Sequence, residues 1–72
     1  MLFDDLIIPG KHGVGKRGFT ATTEGYRDAA DSLVQLHDEG RYVDIHDYNV
    51  RRVMNLYGAS SIEELKIKLR GW

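Results

Sequence analysis

The segment that decides the fold spans residues 22–40 and reads TTEGYRDAADSLVQLHDEG. Side chains suited to one buried face recur in it at the spacings i, i+3, i+4, i+7, i+8 and i+11; they are Tyr26, Ala29, Ala30, Leu33, Val34 and His37. This period is typical of an amphipathic α-helix. Thr22 and Thr23 supply N-cap hydroxyls, and Gly40 can take the left-handed conformation that ends a helix. We therefore predict a first helix over residues 24–39.

A second helix is predicted over residues 46–57. Apolar residues at positions 50, 53, 54 and 57 repeat the helical spacing, and Gly58 follows the last of them. Either Asp44 or Asp47 can cap the start of this helix, because a carboxylate oxygen accepts hydrogen bonds from the free N–H groups of the first turn. The connector over residues 41–45 is expected to be extended.

The C-terminal segment favours a third helix. Ser60-x-x-Glu63 and Ser61-x-x-Glu64 are overlapping capping boxes, so the helix is expected to begin near residue 61 or 62. Residues 65–70 also alternate between apolar and basic side chains, as a strand does, but the capping boxes favour the helix. We expect the three helical faces to share a core; its predicted members are Leu33, Val53, Met54, Tyr57, Ile62 and Leu65.

The N-terminal part of the chain has a different character. Residues 9–18 read PGKHGVGKRG, with four glycines and no hydrophobic period, which predicts a flexible, extended basic arm. Before it, residues 1–8 form a short apolar segment. We predict a mainly α fold: a small bundle of two to three short helices in residues 20–72, with residues 1–19 as an apolar segment and glycine-rich arm. Minor β structure is allowed in the first residues or in residues 42–45.

The arm also contains the spacing of a phosphate-binding loop. Gly10, Gly15 and Lys16 match the G-x-x-x-x-G-K pattern, in which backbone N–H groups surround phosphates. However, Arg17 replaces the hydroxyl residue that would hold Mg²⁺, and the predicted helix begins several residues after Lys16 instead of at it. We therefore interpret the segment as a basic arm and not as a nucleotide site.

Composition limits the remaining classes of function. The chain has 72 residues, no cysteine, a net charge of −1, and a longest apolar run of three residues. One small domain without disulfides is expected, with no export signal or membrane span, and a cytoplasmic location.

Charge is distributed unevenly along the chain. Residues 1–23 and 48–72 are net basic, with charges of +1 and +3, and residues 24–47 carry a net charge of −5. His37 lies near the predicted end of the first helix and His46 near a cap, so we expect no metal site, no cofactor and no enzymatic activity.

We expect the protein to bind another protein stoichiometrically, as a non-enzymatic regulator or inhibitor of a larger multisubunit assembly. Chains of this size include viral-encoded regulators of host transcription or defence machines, an analogy that rests on size alone. The predicted binding residues lie in the N-terminal segment; they are Leu2, Phe3, Ile7, Ile8, Lys11, Lys16 and Arg17. Secondary candidates are Arg51, Arg52 and Trp72. If the segment belongs to the core instead, the surface is expected around Tyr42, Tyr48 and these secondary residues.

The alternative function is that of a small DNA-binding regulator using the basic arm and the basic C-terminal helices. Gly58 between two helices resembles the turn of a helix-turn-helix. In that arrangement Glu64 would have to point inward and Leu65 would face the DNA groove, which disfavours it. The arm also lacks aromatic residues between its basic ones, so protein binding is preferred.

Overall fold

The computed structural model describes residues 6–71. Its elements are strand β1 (Leu6–Pro9), a short 3₁₀ turn (Lys11–Gly13), strand β2 (Lys16–Phe19), and helices α1 (Thr23–Asp38), α2 (Tyr48–Tyr57) and α3 (Ile62–Arg70). The two strands form an antiparallel hairpin in which Leu6 pairs with Phe19 and Pro9 with Lys16. The predicted, mainly helical fold class is therefore confirmed, with a two-stranded sheet as its β part.

Each helix begins at a residue that the sequence marked as a cap. The Thr22 hydroxyl accepts from the Gly25 N–H at 3.0 Å, and the Asp47 carboxylate accepts from Asn49 and Val50 at 3.1 and 3.2 Å. The Ser61 hydroxyl accepts from the Glu64 N–H at 3.1 Å. These bonds satisfy N–H groups that have no partner within a helix, and so they fix where each helix starts.

Glycines end the first two helices. Gly40 and Gly58 have φ values of 78° and 68°, which a side chain at Cβ would disfavour. At both ends the next residue donates back into the helix: Arg41 N–H to the Leu36 carbonyl and Ala59 N–H to the Met54 carbonyl, each at 2.9 Å. These bonds close the helices in the manner predicted from the sequence.

One core joins the hairpin and the three helices. The predicted core residues of the helices are all buried, from Leu33 on α1 to Leu65 on α3. Leu36 is also buried although it lies outside the predicted stripe, and His37 is exposed although it lies within it. The buried face of α1 therefore passes through residues 29, 33 and 36 and leaves His37 at the surface, because the helix is covered by the hairpin as well as by α2 and α3.

The glycine-rich segment is not a free arm where the structure describes it. Leu6 and Ile8 are fully buried, whereas Ile7 between them is exposed, as expected when one face of a hairpin packs on a core. Glycines form the tip: Gly13 and Gly15 have positive φ, and the Gly10 N–H donates to the Gly15 carbonyl at 2.9 Å. Lys16 begins a strand instead of a helix, so the phosphate-loop spacing is part of a β-hairpin.

Candidate functional site

Two neighbouring grooves lie beside the connection between α1 and α2. The larger, of about 500 Å³, is lined by His37, Arg41, Tyr42, Val43, Ile45, His46, Ser61, Ile62 and Glu63. The smaller, of about 320 Å³, is lined by Ile45, His46, Arg51, Met54, Asn55, Ala59 and Ser60. Ile45 and His46 line both grooves, so the two form one continuous surface. We call this surface the connector grooves.

The connector grooves combine apolar residues with prominent polar ones. Val43 and Ile62 are buried at the larger groove, and Met54 is buried at the smaller. Tyr42 stands beside them with 85% of its surface exposed. Tyrosine and methionine are both enriched in protein interfaces, and tyrosine buries a large area at a small entropic cost. This arrangement suits contact with another macromolecule.

Most of the carboxylates near these grooves have hydrogen-bond or ion-pair partners within the chain. Asp47 caps α2, and the Asp44 carboxylate accepts from the His46 N–H at 2.9 Å. Asp38 pairs with Lys66 at 2.9 Å. Glu39 contacts the His12 imidazole at 2.9 Å and thereby joins the tip of the hairpin to the end of α1.

Two arginines at the connector grooves remain available for a ligand. The side chains of Arg41 and Arg51 have no hydrogen-bond or ion-pair partner among residues 6–71. Between α1 and α3, His37 lies 3.9 Å from the Glu63 carboxylate. The surface therefore presents guanidinium groups without carboxylate partners beside apolar side chains, and this favours a ligand with carboxylates of its own.

A cluster of two tyrosines and Arg52 joins the first turns of α1 and α2. Arg52 donates to the Tyr26 hydroxyl and to the Asn49 side-chain oxygen, each at 3.3 Å, and its guanidinium lies 5.7 Å from the Tyr48 ring centre. Arg52 is thus held by its own chain, and its role is to support the exposed Tyr48 ring. Of the two arginines among the predicted secondary residues, Arg51, which precedes Arg52 on α2, is the more available for a ligand.

The residues predicted in the N-terminal segment are divided between core and surface. The prediction that Ile8 binds a partner is corrected, because its side chain is buried in this chain's own core and is not presented to a partner. Ile7, Lys16 and Arg17 are exposed, and Lys11 begins the turn at the hairpin tip. The predictions for Leu2, Phe3 and Trp72 lie outside the described residues.

Sequence patterns alone could not have revealed the connector grooves. They are assembled from several successive elements, the end of α1, residues 41–46, α2 and the α2–α3 turn, and exist only when these elements have packed together. The available signal was Arg41-Tyr42 directly after the helix-ending Gly40, an aromatic and a basic residue in a short connector. Tyr42 was predicted as a binding residue only for the case in which the N-terminal segment belongs to the core.

Within residues 6–71, no group of three or more histidines and carboxylates is placed to hold a metal ion. Among the helices described, none has the length and apolar character needed to cross a membrane. No known protein family, curated protein or solved structure matches the chain.

Proposed function

We propose that the protein is a non-enzymatic binding regulator that acts stoichiometrically on a protein partner through the connector grooves. The observation that carries this proposal is the position of Tyr42, which is 85% exposed beside a groove of about 500 Å³. Interface hot spots are typically tyrosine, tryptophan or arginine next to a pocket. The partner is expected to place an apolar side chain against Val43 and Ile62 and carboxylates near Arg41 and Arg51.

The hairpin supports this function by holding the groove in place. The His12–Glu39 contact links the hairpin tip to the residue that ends α1, two positions before Arg41. The aliphatic part of the Arg41 side chain also lies next to Gly13 at the tip, where a built Cβ atom would come within 3.5 Å of it. A basic residue positioned in this way loses less conformational entropy on binding.

The test is a binding assay on variants of the full chain. The tagged protein captures its partner from a lysate of the cells that express it, the partner is identified by mass spectrometry, and Kd is measured with the purified partner. Tyr42→Ala is expected to weaken binding by about tenfold or more, the effect of removing an interface hot spot. Arg41→Ala is expected to weaken it less, because exposed charges mainly affect the association rate.

Ile67→Ala is the matched control, because Ile67 is 67% exposed and does not line the connector grooves. Its Kd is expected to equal that of the unmodified protein. Equal affinity for the Tyr42→Ala variant and the control would refute the proposed surface.

The DNA-binding alternative is tested in the same preparation. It is favoured by the hairpin, since residues 6–23 contain no carboxylate and Lys16 and Arg17 are exposed. Neutralising several phosphates would make affinity for duplex DNA fall steeply with salt, with a log–log slope of about −0.9 for each phosphate contacted. Tight, steeply salt-dependent binding to DNA, unaffected by Tyr42→Ala, would reverse the order of the two proposals.

A further inference from the structure

The outer edge of β2 has backbone groups that no described residue binds. In an antiparallel hairpin, residue pairs alternate between those that hydrogen-bond to each other and those that do not. The bond from Gly10 to Gly15 sets this alternation, so the pairs Ile8–Arg17 and Leu6–Phe19 bond across the hairpin. The N–H and C=O groups of Lys16 and Gly18 therefore point away from β1.

The outer edge of β1 is less suited to binding another strand. Its corresponding residues are Ile7 and Pro9, which lie opposite Gly18 and Lys16. Proline has no N–H, so this edge lacks a donor where β2 has one. Of the two edges, β2 offers the complete alternating set of donors and acceptors that an added strand needs.

Charge determines which strand β2 can accept. Lys16 and Arg17 are both exposed on β2. Pairing with the β2 strand of a second copy in an antiparallel way would bring these cations together, and like charges across strands are destabilising. An incoming strand that carries carboxylates opposite Lys16 would avoid this repulsion.

The two faces of β2 have different surroundings. Arg17 shares the helix-facing side with Phe19, its guanidinium 4.7 Å from the ring centre, and both line a cleft with Asp28 and Asp31 of α1. Carboxylates of an added strand would be repelled on that side. Lys16 lies on the opposite face with Pro9 and Ile7 and forms no ion pair with a carboxylate of the described residues.

We propose that the edge of β2 is a docking site for an extended protein segment, which adds as a third strand with acidic side chains on the Lys16 face and uncharged ones on the α1 face. The segment is held by backbone hydrogen bonds to Lys16 and Gly18 and is selected by the charge of Lys16. This site is separate from the connector grooves, so it does not depend on the function proposed for them.

The test uses a capped hexapeptide of alternating glutamate and valine as the probe, with amide hydrogen exchange of the full chain followed by NMR. In the free protein the Lys16 and Gly18 amides are expected to exchange rapidly, and the Arg17 and Phe19 amides slowly. Saturating peptide is expected to slow exchange at Lys16 and Gly18 by about tenfold or more, because both become hydrogen-bonded.

The controls separate charge selection from backbone pairing. A glutamine–valine peptide is expected to bind about threefold to tenfold more weakly, and Lys16→Glu is expected to remove that preference, since exposed charge pairs contribute modestly. The proposal is overturned if the peptide leaves exchange at Lys16 and Gly18 unchanged, or if both peptides protect them equally. It is also overturned if these amides are protected without peptide at all protein concentrations. Protection that increases with protein concentration would overturn it too, and would assign the edge to a second copy.

Discussion

At the scale of single residues, Tyr57 shows how burial changes the chemistry of one side chain. Burial raises the pKa of the Tyr57 hydroxyl above its ordinary value of 10.0; Asp31 also raises it and Arg27 lowers it. The folded protein therefore holds this proton more tightly than the unfolded chain does. The stability associated with Tyr57 is fully present below pH 10 and is lost as the pH rises from 10 through the folded pKa.

This pH dependence can be measured by comparison with Tyr57→Phe, which lacks the titrating group. Denaturant unfolding of both proteins is followed from pH 8 to pH 11, a range of about one to two units on either side of the ordinary tyrosine pKa. The difference in unfolding free energy is expected to stay constant up to about pH 9 and then to shift in favour of the phenylalanine variant above pH 10. A difference that stays constant through pH 11 would show that Tyr57 does not titrate differently in the folded state.

At the scale of elements, the helices were predictable and the hairpin was not. Thr22, Asp47 and Ser61 act through neighbours two or three residues away, so their roles can be inferred from local sequence. The hairpin depends on pairing across a glycine-rich tip and on burial against helices that come later in the chain. A four-residue strand with only two inward apolar residues has too short a pattern to distinguish it from a loop.

Gly25 illustrates a further contact that sequence patterns do not reveal. It lies in the first turn of α1, and a Cβ atom at this position would overlap the Thr20 carbonyl oxygen. This close approach brings the chain from β2 directly into α1. The glycine in TTEGY was unexplained by helix propensity, which favours alanine at such a position. The connector grooves escaped prediction for the same reason, because they exist only once several elements have packed together.

The hairpin is expected to contribute to stability as an element of the core. Ile8→Ala should lower the unfolding free energy by about 2–4 kcal/mol, because it removes fully buried methylene and methyl groups and leaves a cavity. Ile7→Ala is the matched control: it is the same substitution one residue earlier, at a side chain that is 39% exposed, and should cost less than about 1 kcal/mol. Urea unfolding of the full-length variants measures both.

An equally small effect of the two substitutions would mean that the hairpin does not pack on the helices in solution. The residues of β1 and β2 would then be available as the extended binding arm that the glycine-rich sequence first indicated. A larger loss of unfolding free energy for Ile8→Ala would instead show that only the outward residues of the hairpin are free to contact a partner.

At the scale of the whole molecule, α1 organises the fold because it contacts both strands, the 3₁₀ turn and the other two helices. The radius of gyration is 11.1 Å, close to the roughly 11 Å expected of a compact chain of this length. One ion pair, from Asp38, and two histidine–carboxylate contacts, from His37 and Glu39, extend from the C-terminal end of α1 to other elements, but all are exposed. Pairs of this kind contribute little, so the apolar face of α1 must hold the molecule together.

Leu33 lies on that face and is fully buried. Leu33→Ala should lower the unfolding free energy by about 3–5 kcal/mol. A single core supplies roughly 3–5 kcal/mol in a domain this small, so the variant should be largely unfolded at 37 °C. Leu56→Ala, the same change at a side chain that is 46% exposed on α2, is the matched control and should keep a cooperative transition. Circular dichroism during heating distinguishes the two. A Leu33→Ala variant that melts within a few degrees of the unmodified protein would contradict the central role of α1 in packing against both strands, the 3₁₀ turn and the other two helices.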